Sequence, residues 1–391
     1  MTGRLGWANA LRGIAALLVL AFHFLVVFWT NQDVAAGLAR RDPLYPGDER
    51  APVLARALAA VPLDLGALGV GLFFVISGFV IALSLERYTR RGFLAGRAFR
   101  VLPTYAAGFL VTCAVVALLG DPAGELGPGA VVAGAVPGLA LVLGVTAPGD
   151  GIVWTLIIEL LFYGVAVVVH RRLTRGWTGV VAVAVACVAL QLLVPAPTVL
   201  AGSSRGGIAY VVLLACPFLP LMLAGVLLSS VSGGRVGGRT AAGLVPALVV
   251  LHVVLLSTSP LFAATAVYRA SFVVAVGVFV GAWWVGTRWR PGRFFDGTAG
   301  ISYPLYVVHP VLGYATISVL AARGVPSLVA VLAAACVAIL AATLLHVAVE
   351  KPTHRLGRRV ARALDARGRT QDEVAGPDAV PEGAGRGVVP R

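Results

Sequence analysis

Charged residues are scarce in this chain. Lys, Arg, Asp and Glu make up only 12% of its 391 residues, whereas a soluble globular domain contains about 25%. Hydrophobic residues make up 59% and the mean hydropathy is +0.92, which is more apolar surface than a water-soluble core can bury. The composition therefore excludes an ordinary soluble protein and indicates an integral membrane protein.

Cysteine is also rare, and its placement excludes two further classes. All four cysteines lie in apolar segments, and no two of them form a CxxC pair. A disulfide framework or a zinc site would need paired or closely spaced cysteines. We therefore expect small core side chains at these positions, which are Cys113, Cys187, Cys216 and Cys336.

Acidic residues are fewer than basic ones, 17 against 31, which gives a formal net charge of +14. Such a charge can indicate nucleic-acid binding. Here, however, the arginines lie in short loops between apolar stretches and in the C-terminal tail, where membrane proteins carry the charges that fix their orientation. The pattern favours membrane topology over a nucleic-acid partner.

Eleven apolar stretches succeed one another almost to residue 350, and a helix of about 17 to 25 such residues crosses a hydrocarbon layer. The first stretch is longer than the apolar part of a signal peptide, about 7 to 15 residues, and has no small-residue cleavage site after it. It is predicted to be a retained helix. The stretches are residues 10–29, 65–85, 101–119, 129–147, 152–169, 178–194, 208–229, 242–257, 267–286, 301–321 and 327–349.

The loop after the second stretch is strongly basic and is predicted to be cytoplasmic, so the N-terminus is cytoplasmic too. If all eleven stretches crossed the membrane, three later basic loops would lie on the outer side, against the rule that basic loops are cytoplasmic. If residues 129–147, which glycine and proline interrupt, did not cross completely, all three loops would lie in the cytoplasm. We therefore predict an all-α bundle of about ten transmembrane helices with both termini inside. The three loops carry Arg171, Arg172 and Arg175; Arg235 and Arg239; and Arg288, Arg290 and Arg293.

Domain organisation is simple. Residues 1–352 are predicted to form one transmembrane domain, in which residues 30–64 make a mixed-charge outer loop. Residues 353–391 are rich in Arg, Gly, Asp and Pro with few large apolar residues, and are predicted to be a disordered basic cytosolic tail. We find no internal repeat.

Ionisable side chains inside a membrane cost several kcal/mol, so each one in an apolar stretch suggests a function. Arg12 lies near the start of the first stretch, and His23 follows about 16 Å further along a helix. Glu159 lies in the fifth stretch, four residues before Tyr163. A bond to a neighbouring helix is an equally good explanation of a buried histidine.

A polar cluster opens the tenth stretch. Ser302, Tyr303, Tyr306 and His309 fall within two helical turns, and Pro310 leaves the Tyr306 carbonyl without its helical donor. The cluster can line a polar cavity. Alternatively, one of the two tyrosines belongs to the aromatic belt at the membrane surface.

Two arginines three residues apart, Arg97 and Arg100, share a helical face in the basic loop. Such a pair can bind phosphate groups bidentately. Anchoring to anionic lipid headgroups explains it equally well. The small residues of segment 69–79 indicate close helix packing, and residues 350–352 resemble an ordinary helix end.

Taken in order, these segments resemble the membrane acyltransferase-3 family from residue 7 to about residue 352. Six blocks in one order carry the resemblance, and no single block does. The blocks are Arg12 to Ala15 with His23; residues 69–79; Arg97 and Arg100 before Pro103 and Tyr105; residues 154–156 with Glu159 and Tyr163; residues 302–306 with His309; and residues 350–352.

The resemblance implies ten membrane helices and transfer of an acyl group, commonly acetyl, from acyl-CoA to a hydroxyl, without a metal. His23 is then the expected general base, with Glu159 or His309 orienting it or charging the cavity. Arg97 and Arg100 would hold the phosphates of coenzyme A, with Arg12 as a third cation. An acylated histidine in a two-step exchange is the other mechanism.

The acceptor stays open at this point: a glycan or envelope carbohydrate, or a macrolide-like natural product. Many relatives carry a C-terminal hydrolase-like domain, which is not expected here. The bias toward Gly, Ala, Arg and Val suggests a GC-rich bacterial genome, and a chain of apolar helices is then expected in the bacterial inner membrane. A transporter or flippase of a polar or lipid-linked substrate is the alternative function, although the repeated halves and paired broken helices typical of transporters are not evident.

Overall fold

The computed structural model describes residues 6–44, 50–121, 126–143, 149–194, 207–262, 264–286 and 292–374. In these ranges the regular structure is helical throughout. The helices are α1 (Gly6–Thr30), α2 (Gln32–Ala39), α3 (Val53–Ala59), α4 (Leu65–Leu85), α5 (Arg90–Leu119), α6 (Pro128–Gly134), α7 (Leu139–Leu143), α8 (Val153–Val168), α9 (His170–Arg175), α10 (Thr178–Leu193), α11 (Ile208–Ala215), α12 (Leu219–Ser232), α13 (Gly238–Ser257), α14 (Ala266–Val285), α15 (Arg293–Ala322), α16 (Ser327–Leu345) and α17 (Lys351–Val374).

Seven of the helices in the described ranges are long and apolar enough to cross a membrane: α1, α4, α5, α13, α14, α15 and the continuous helix that begins with α16. Helices α11 and α12 pass the same test together but are bent by 53°, which makes them a broken span or a re-entrant loop. These helices confirm an all-α integral membrane protein. The number ten is reached only if α8 and α10, apolar helices of 16 residues each, also cross.

The stretch at residues 129–147, which glycine and proline interrupt, is not one helix. Its described part consists of α6 and α7, which have seven and five residues, and neither is long enough to span a bilayer. This agrees with the prediction that the stretch does not cross completely. Residues 144–147, like Arg288 and Arg290 of the third basic loop, lie outside the described residues.

The prediction of a disordered tail is wrong for residues 353–374. They belong to α17, which continues from α16 through a π-helical segment, His346–Glu350. The helix is stabilised by contacts that composition does not reveal: Ala361 is buried, and Asp365 accepts hydrogen bonds from Thr89 at the start of α5. Residues 375–391 lie outside the described residues.

Three of the cysteines are buried, as expected of small core side chains, but Cys336 is exposed. It lies on a face of α16 that points away from the bundle, where Leu332 and Leu340 are also exposed. An apolar stretch that faces lipid on one side does not have to bury every small residue. The core assignment is therefore wrong for Cys336.

Helix α4 is the most enclosed of the spanning helices, and its glycines explain why. A Cβ at Gly69 would meet the Ala15 carbonyl of α1, a Cβ at Gly71 would meet Phe272 of α14, and a Cβ at Gly78 would overlap the Met222 carbonyl of α12. Segment 69–79 therefore packs against three helices at once, as its small residues predicted. This packing holds α4 beside α1, which also lies along α15.

Candidate active site

A cavity lies between α1, α4, α5, α8 and α15. Four of the six predicted site residues line it, namely Arg12, Arg97, Arg100 and Glu159. Distant sequence blocks therefore meet at one site. Other polar groups of the lining are Ser77, Thr155, Tyr163, Ser302, Tyr303 and Tyr306.

Arg97 is held by the protein. Its Nη2 atom donates to Ser84 Oγ at 2.7 Å, and its guanidinium lies 5.5 Å from the ring centre of Phe93 and 5.4 Å from that of Tyr163. Aromatic faces attract cations. These contacts fix the direction of a guanidinium that still has N–H donors beyond the one bonded to Ser84.

Arg12 and Arg100 differ from Arg97. Within the part of the chain that the structure describes, neither side chain forms a hydrogen bond or an ion pair, although both line the cavity. Cations in a membrane interior are costly unless they are paired. An anionic ligand that enters the cavity would supply the missing partner.

Glu159 is the carboxylate of this cavity. It accepts a hydrogen bond from the Tyr163 hydroxyl at 2.5 Å and one from Ser77 Oγ at 3.2 Å. Tyr163 lies one turn further along the same helix, so the pair is fixed locally. Glu159 therefore lies in the cavity with the arginines. Among the described residues, no hydrogen bond joins it to His23 or His309.

His23 and His309 lie together beyond the cavity lining. Their ring centroids are 4.8 Å apart and their planes are perpendicular. His309 is almost fully buried, and its Nδ1 atom lies 2.9 Å from the Tyr306 carbonyl and 3.1 Å from the Leu305 carbonyl. A carbonyl only accepts, so Nδ1 must carry the hydrogen and Nε2 the lone pair. Pro310 makes this bond possible because it leaves the Tyr306 carbonyl without a backbone donor.

The Nε2 atom of His309 is buried and has no hydrogen-bond partner among the described residues. A buried acceptor without a partner loses free energy. Native proteins rarely leave one, and such atoms occur where a ligand, a water molecule or a catalytic proton completes the bond. The neutral tautomer that presents a lone pair is also the form that a proton acceptor needs.

Tyr314 completes the histidine pair, and the sequence patterns do not single it out. Its hydroxyl lies 2.6 Å from His23 Nδ1, and the residue is fully buried. Tyr314 comes five residues after His309, so the two do not share a face in the periodicity of α15. A buried tyrosine hydroxyl in an apolar span, which must find a partner, was the available signal.

A π-helical segment begins at His23 and extends to Val27. Such segments are rare and often mark functional positions in a helix. Phe24, inside this segment, packs against both His309 and Tyr314, and Gly313 leaves the room that its ring occupies. The irregular turn thus packs against the part of α15 that carries the other two site residues.

Tyr306 connects the cavity to the histidines. Its hydroxyl lies 2.9 Å from Thr155 Oγ1 on α8, and its ring centroid is 5.8 Å from that of His309. Tyr303 also lines the cavity, where its hydroxyl donates to the Val101 carbonyl at 3.0 Å. Both tyrosines are therefore part of the site, and neither belongs to a surface belt.

A buried carboxylate near the cavity, Asp150, was not singled out in the sequence. It accepts from the Tyr105 hydroxyl at 2.7 Å and from the backbone N–H groups of Ile152 and Val153 at 3.0 and 2.9 Å. An aspartate just before an apolar helix is a common capping signal. Asp150 thereby ties the start of α8, which carries Thr155 and Glu159, to α5.

Comparison with known proteins agrees with this arrangement. A family model described as an acyltransferase domain, of the acyltransferase-3 type, matches residues 5–347. Neither a curated protein nor a solved structure matches the chain significantly. The family match covers α1 to α16 and ends before α17. Because it spans most of the chain and every helix that lines the cavity, this protein belongs to the acyltransferase-3 family of membrane acyltransferases.

Proposed function

We propose that this protein is a membrane O-acyltransferase that moves an acyl group, acetyl in the simplest case, from cytosolic acyl-CoA to a hydroxyl of a carbohydrate or a glycosylated natural product. One observation carries the proposal. A cavity contains Arg12 and Arg100, which have no hydrogen-bond or ion-pair partner among the described residues, and Tyr306 joins this cavity to a pair of histidines. Anion recognition and proton transfer therefore lie side by side.

The three arginines of the cavity explain how the acyl donor binds. Coenzyme A carries phosphates at one end and the thioester at the other, so its binding site needs cations at one end and a base at the other. Arg12, Arg97 and Arg100 bind the phosphates, since a guanidinium donates two parallel hydrogen bonds to such groups. The thioester then extends past Tyr306 toward His23.

The two histidines explain the proton transfers that the reaction needs. His23, which is less deeply buried than His309, takes the proton of the acceptor hydroxyl as its oxygen attacks the thioester carbonyl. The C–S bond then breaks, and the departing thiolate takes the proton from the imidazolium, which leaves an ester, free coenzyme A and a neutral histidine. His309 and Tyr314 fix the orientation of His23, and the Tyr306 hydroxyl stabilises the oxyanion.

The acceptor is a glycan, an envelope carbohydrate or a macrolide-like compound, all of which present hydroxyl groups. Transport of a polar or lipid-linked substrate is the competing function. The broken span of α11 and α12 resembles the interrupted helices of transporters, but its residues do not line the cavity. Consumption of acyl-CoA separates the two functions.

The proposed location is the bacterial plasma membrane, with both termini in the cytoplasm. In that orientation the arginine-rich start of α5 faces the compartment that contains acyl-CoA. A reporter fused after residue 149 is expected on the outer side, and one fused after residue 374 on the inner side. A cytoplasmic position for the first reporter would contradict the ten-span topology.

The test is turnover of radiolabelled acetyl-CoA by the purified protein in detergent, without acceptor and then with candidate glycans. Slow release of coenzyme A should occur in the wild type and be lost in His23→Ala, with label on the protein only if a histidine is acylated. His170→Ala is the matched control, because His170 bonds the Leu85 carbonyl and does not line the cavity. Absence of both binding and release in the wild type would favour the transporter.

A further inference from the structure

A groove lies beside the main cavity, between α4, α5 and α17. The two spaces share Val80, Arg97 and Arg100 in their linings. The two spaces therefore adjoin at these two arginines, and one long ligand that passes between them would occupy both. The rest of the lining is Leu83, Ser84, Arg87, Tyr88, Gly92, Phe93, Gly96, His354, Arg358 and Ala361.

The α17 wall of this groove is firmly attached. Asp365 accepts hydrogen bonds from Thr89 N and Thr89 Oγ1 at 2.9 and 2.6 Å, and Ala361 is buried against α5. Gly357 lies so close to Phe99 that a Cβ there would press on its side chain. The position of α17 is thus set by packing and by hydrogen bonds, so His354 and Arg358 are held at the groove.

The groove is cationic. Four arginines line it, together with His354, and no carboxylate does so among the residues that the structure describes. Within the described part of the chain, the side chains of Arg358 and His354 form no hydrogen bond or ion pair. Several guanidinium groups beside a polar cavity, without carboxylates near them, favour the binding of negatively charged oxygens.

We infer that this groove binds the 3′-phosphorylated ADP end of acyl-CoA, with Arg358 and His354 of α17 as phosphate ligands and Tyr88 beside the adenine. The inference rests on the proposed function, since it takes acyl-CoA as the donor. It extends the binding site to a helix beyond residue 347, where the family match ends. The donor would lie with its adenosine 3′-phosphate in the groove, its diphosphate at Arg97 and Arg100, which line both spaces, and its pantetheine arm in the main cavity with the thioester toward the histidines.

Continuity favours a nucleotide over a lipid headgroup as the occupant. The headgroup of a lipid would have to keep its acyl chains outside, in the bilayer. This groove instead leads inward, to a lining with Glu159, Tyr163 and Tyr303. A long, polar and flexible arm suits that path, whereas apolar chains do not.

The test measures binding of adenosine 3′,5′-bisphosphate to the full-length protein in detergent, together with steady-state kinetics. Arg358→Ala should weaken bisphosphate binding by about tenfold, the value of one charge-assisted contact. It should raise KM for acetyl-CoA similarly but leave KM for acetyl-pantetheine, which lacks the nucleotide, unchanged. Arg359→Ala is the matched control, because Arg359 is exposed on the same helix and lines none of the described cavities.

The outcomes separate this inference from the proposed function. Two results would overturn the nucleotide site and leave the proposed reaction standing: normal acetyl-CoA turnover that Arg358→Ala does not change, or an equal rise in KM for acetyl-CoA and acetyl-pantetheine. Bisphosphate binding that depends on Arg358, without any acyl transfer, would support the site and contradict the reaction. Thermal stabilisation by phosphatidylglycerol nanodiscs that depends on Arg358, with no bisphosphate binding, would identify a lipid site and overturn the inference.

Discussion

His23 and His309 meet at right angles with their ring centroids 4.8 Å apart, one on α1 and the other on α15. They are 286 residues apart in the chain, and the contact arises because the two helices pack along each other. Glu159, the other candidate partner of His23, instead bonds Tyr163 and Ser77. We therefore expect the two imidazoles to act together in proton transfer, and Glu159 to have a different role.

His309→Ala should therefore lower kcat by about a hundredfold, the usual contribution of a positioned acid–base group. Glu159→Gln keeps an acceptor for Tyr163 but removes the negative charge from an arginine-lined cavity, so it should lower KM for acyl-CoA and change kcat little. Both are measured by steady-state kinetics on purified protein. A larger loss of kcat in Glu159→Gln than in His309→Ala would exchange the two roles.

Tyr314→Phe removes the hydroxyl that lies 2.6 Å from His23 Nδ1. Since His23 would then lose a buried hydrogen bond that orients its ring, kcat should fall by about tenfold while KM for the donor stays the same. The pH dependence of kcat should shift as well, because the bond favours one protonation state of the imidazole. The matched control is Tyr210→Phe, because the Tyr210 hydroxyl has no hydrogen-bond partner among the described residues. An unchanged kcat and pH profile in Tyr314→Phe would show that Tyr314 is not part of the site.

Arg97 and Arg100 should behave differently although they belong to one motif. Arg97→Ala removes the guanidinium that contacts Ser84, Phe93 and Tyr163, so it should lower both donor affinity and thermal stability. Arg100 has no such partner in the described part of the chain, so Arg100→Ala should raise KM for acyl-CoA by about tenfold without loss of stability. Arg91→Ala, on an exposed position of the same helix, is the control; a stability loss in Arg100→Ala equal to that in Arg97→Ala would show that both are structural.

Gly78→Ala should destabilise the protein by about 1 to 3 kcal/mol or more. The added methyl group would overlap the Met222 carbonyl, which is backbone and cannot rotate away. Gly277→Ala is a matched substitution in a spanning helix where the added Cβ meets nothing within 4 Å. That control should be neutral or slightly stabilising, as measured by thermal unfolding in detergent, and equal midpoints for the two variants would contradict the close α4–α12 crossing.

The sequence was informative where one local pattern has one physical meaning. Long apolar stretches have to be helices in a bilayer, because every backbone polar group must be satisfied within the segment. Ionisable residues in such stretches are costly, which singled out Arg12 and Glu159, and the three-residue spacing of Arg97 and Arg100 singled out that pair; all four line one cavity. The glycines of segment 69–79 likewise predicted the close packing of α4.

Tertiary contacts decided what local patterns left open. Composition predicted disorder after residue 352, yet α17 is held by Thr89, Phe99 and its own buried Ala361. Tyr314 and Asp150 gave weak signals, because each finds its partner on a different helix. The exposure of Cys336 likewise depends on which face of α16 turns to lipid.

By itself, the sequence determined the class of this protein, its helices, its family and the side chains that carry charge into the membrane, since each follows from a local pattern and the cost of leaving water. The tertiary structure alone decided that His23 pairs with His309 rather than with Glu159, and that α17 borders the cationic groove. Those relationships depend on how α1, α4, α5 and α15 pack, and packing joins residues that no local spacing connects.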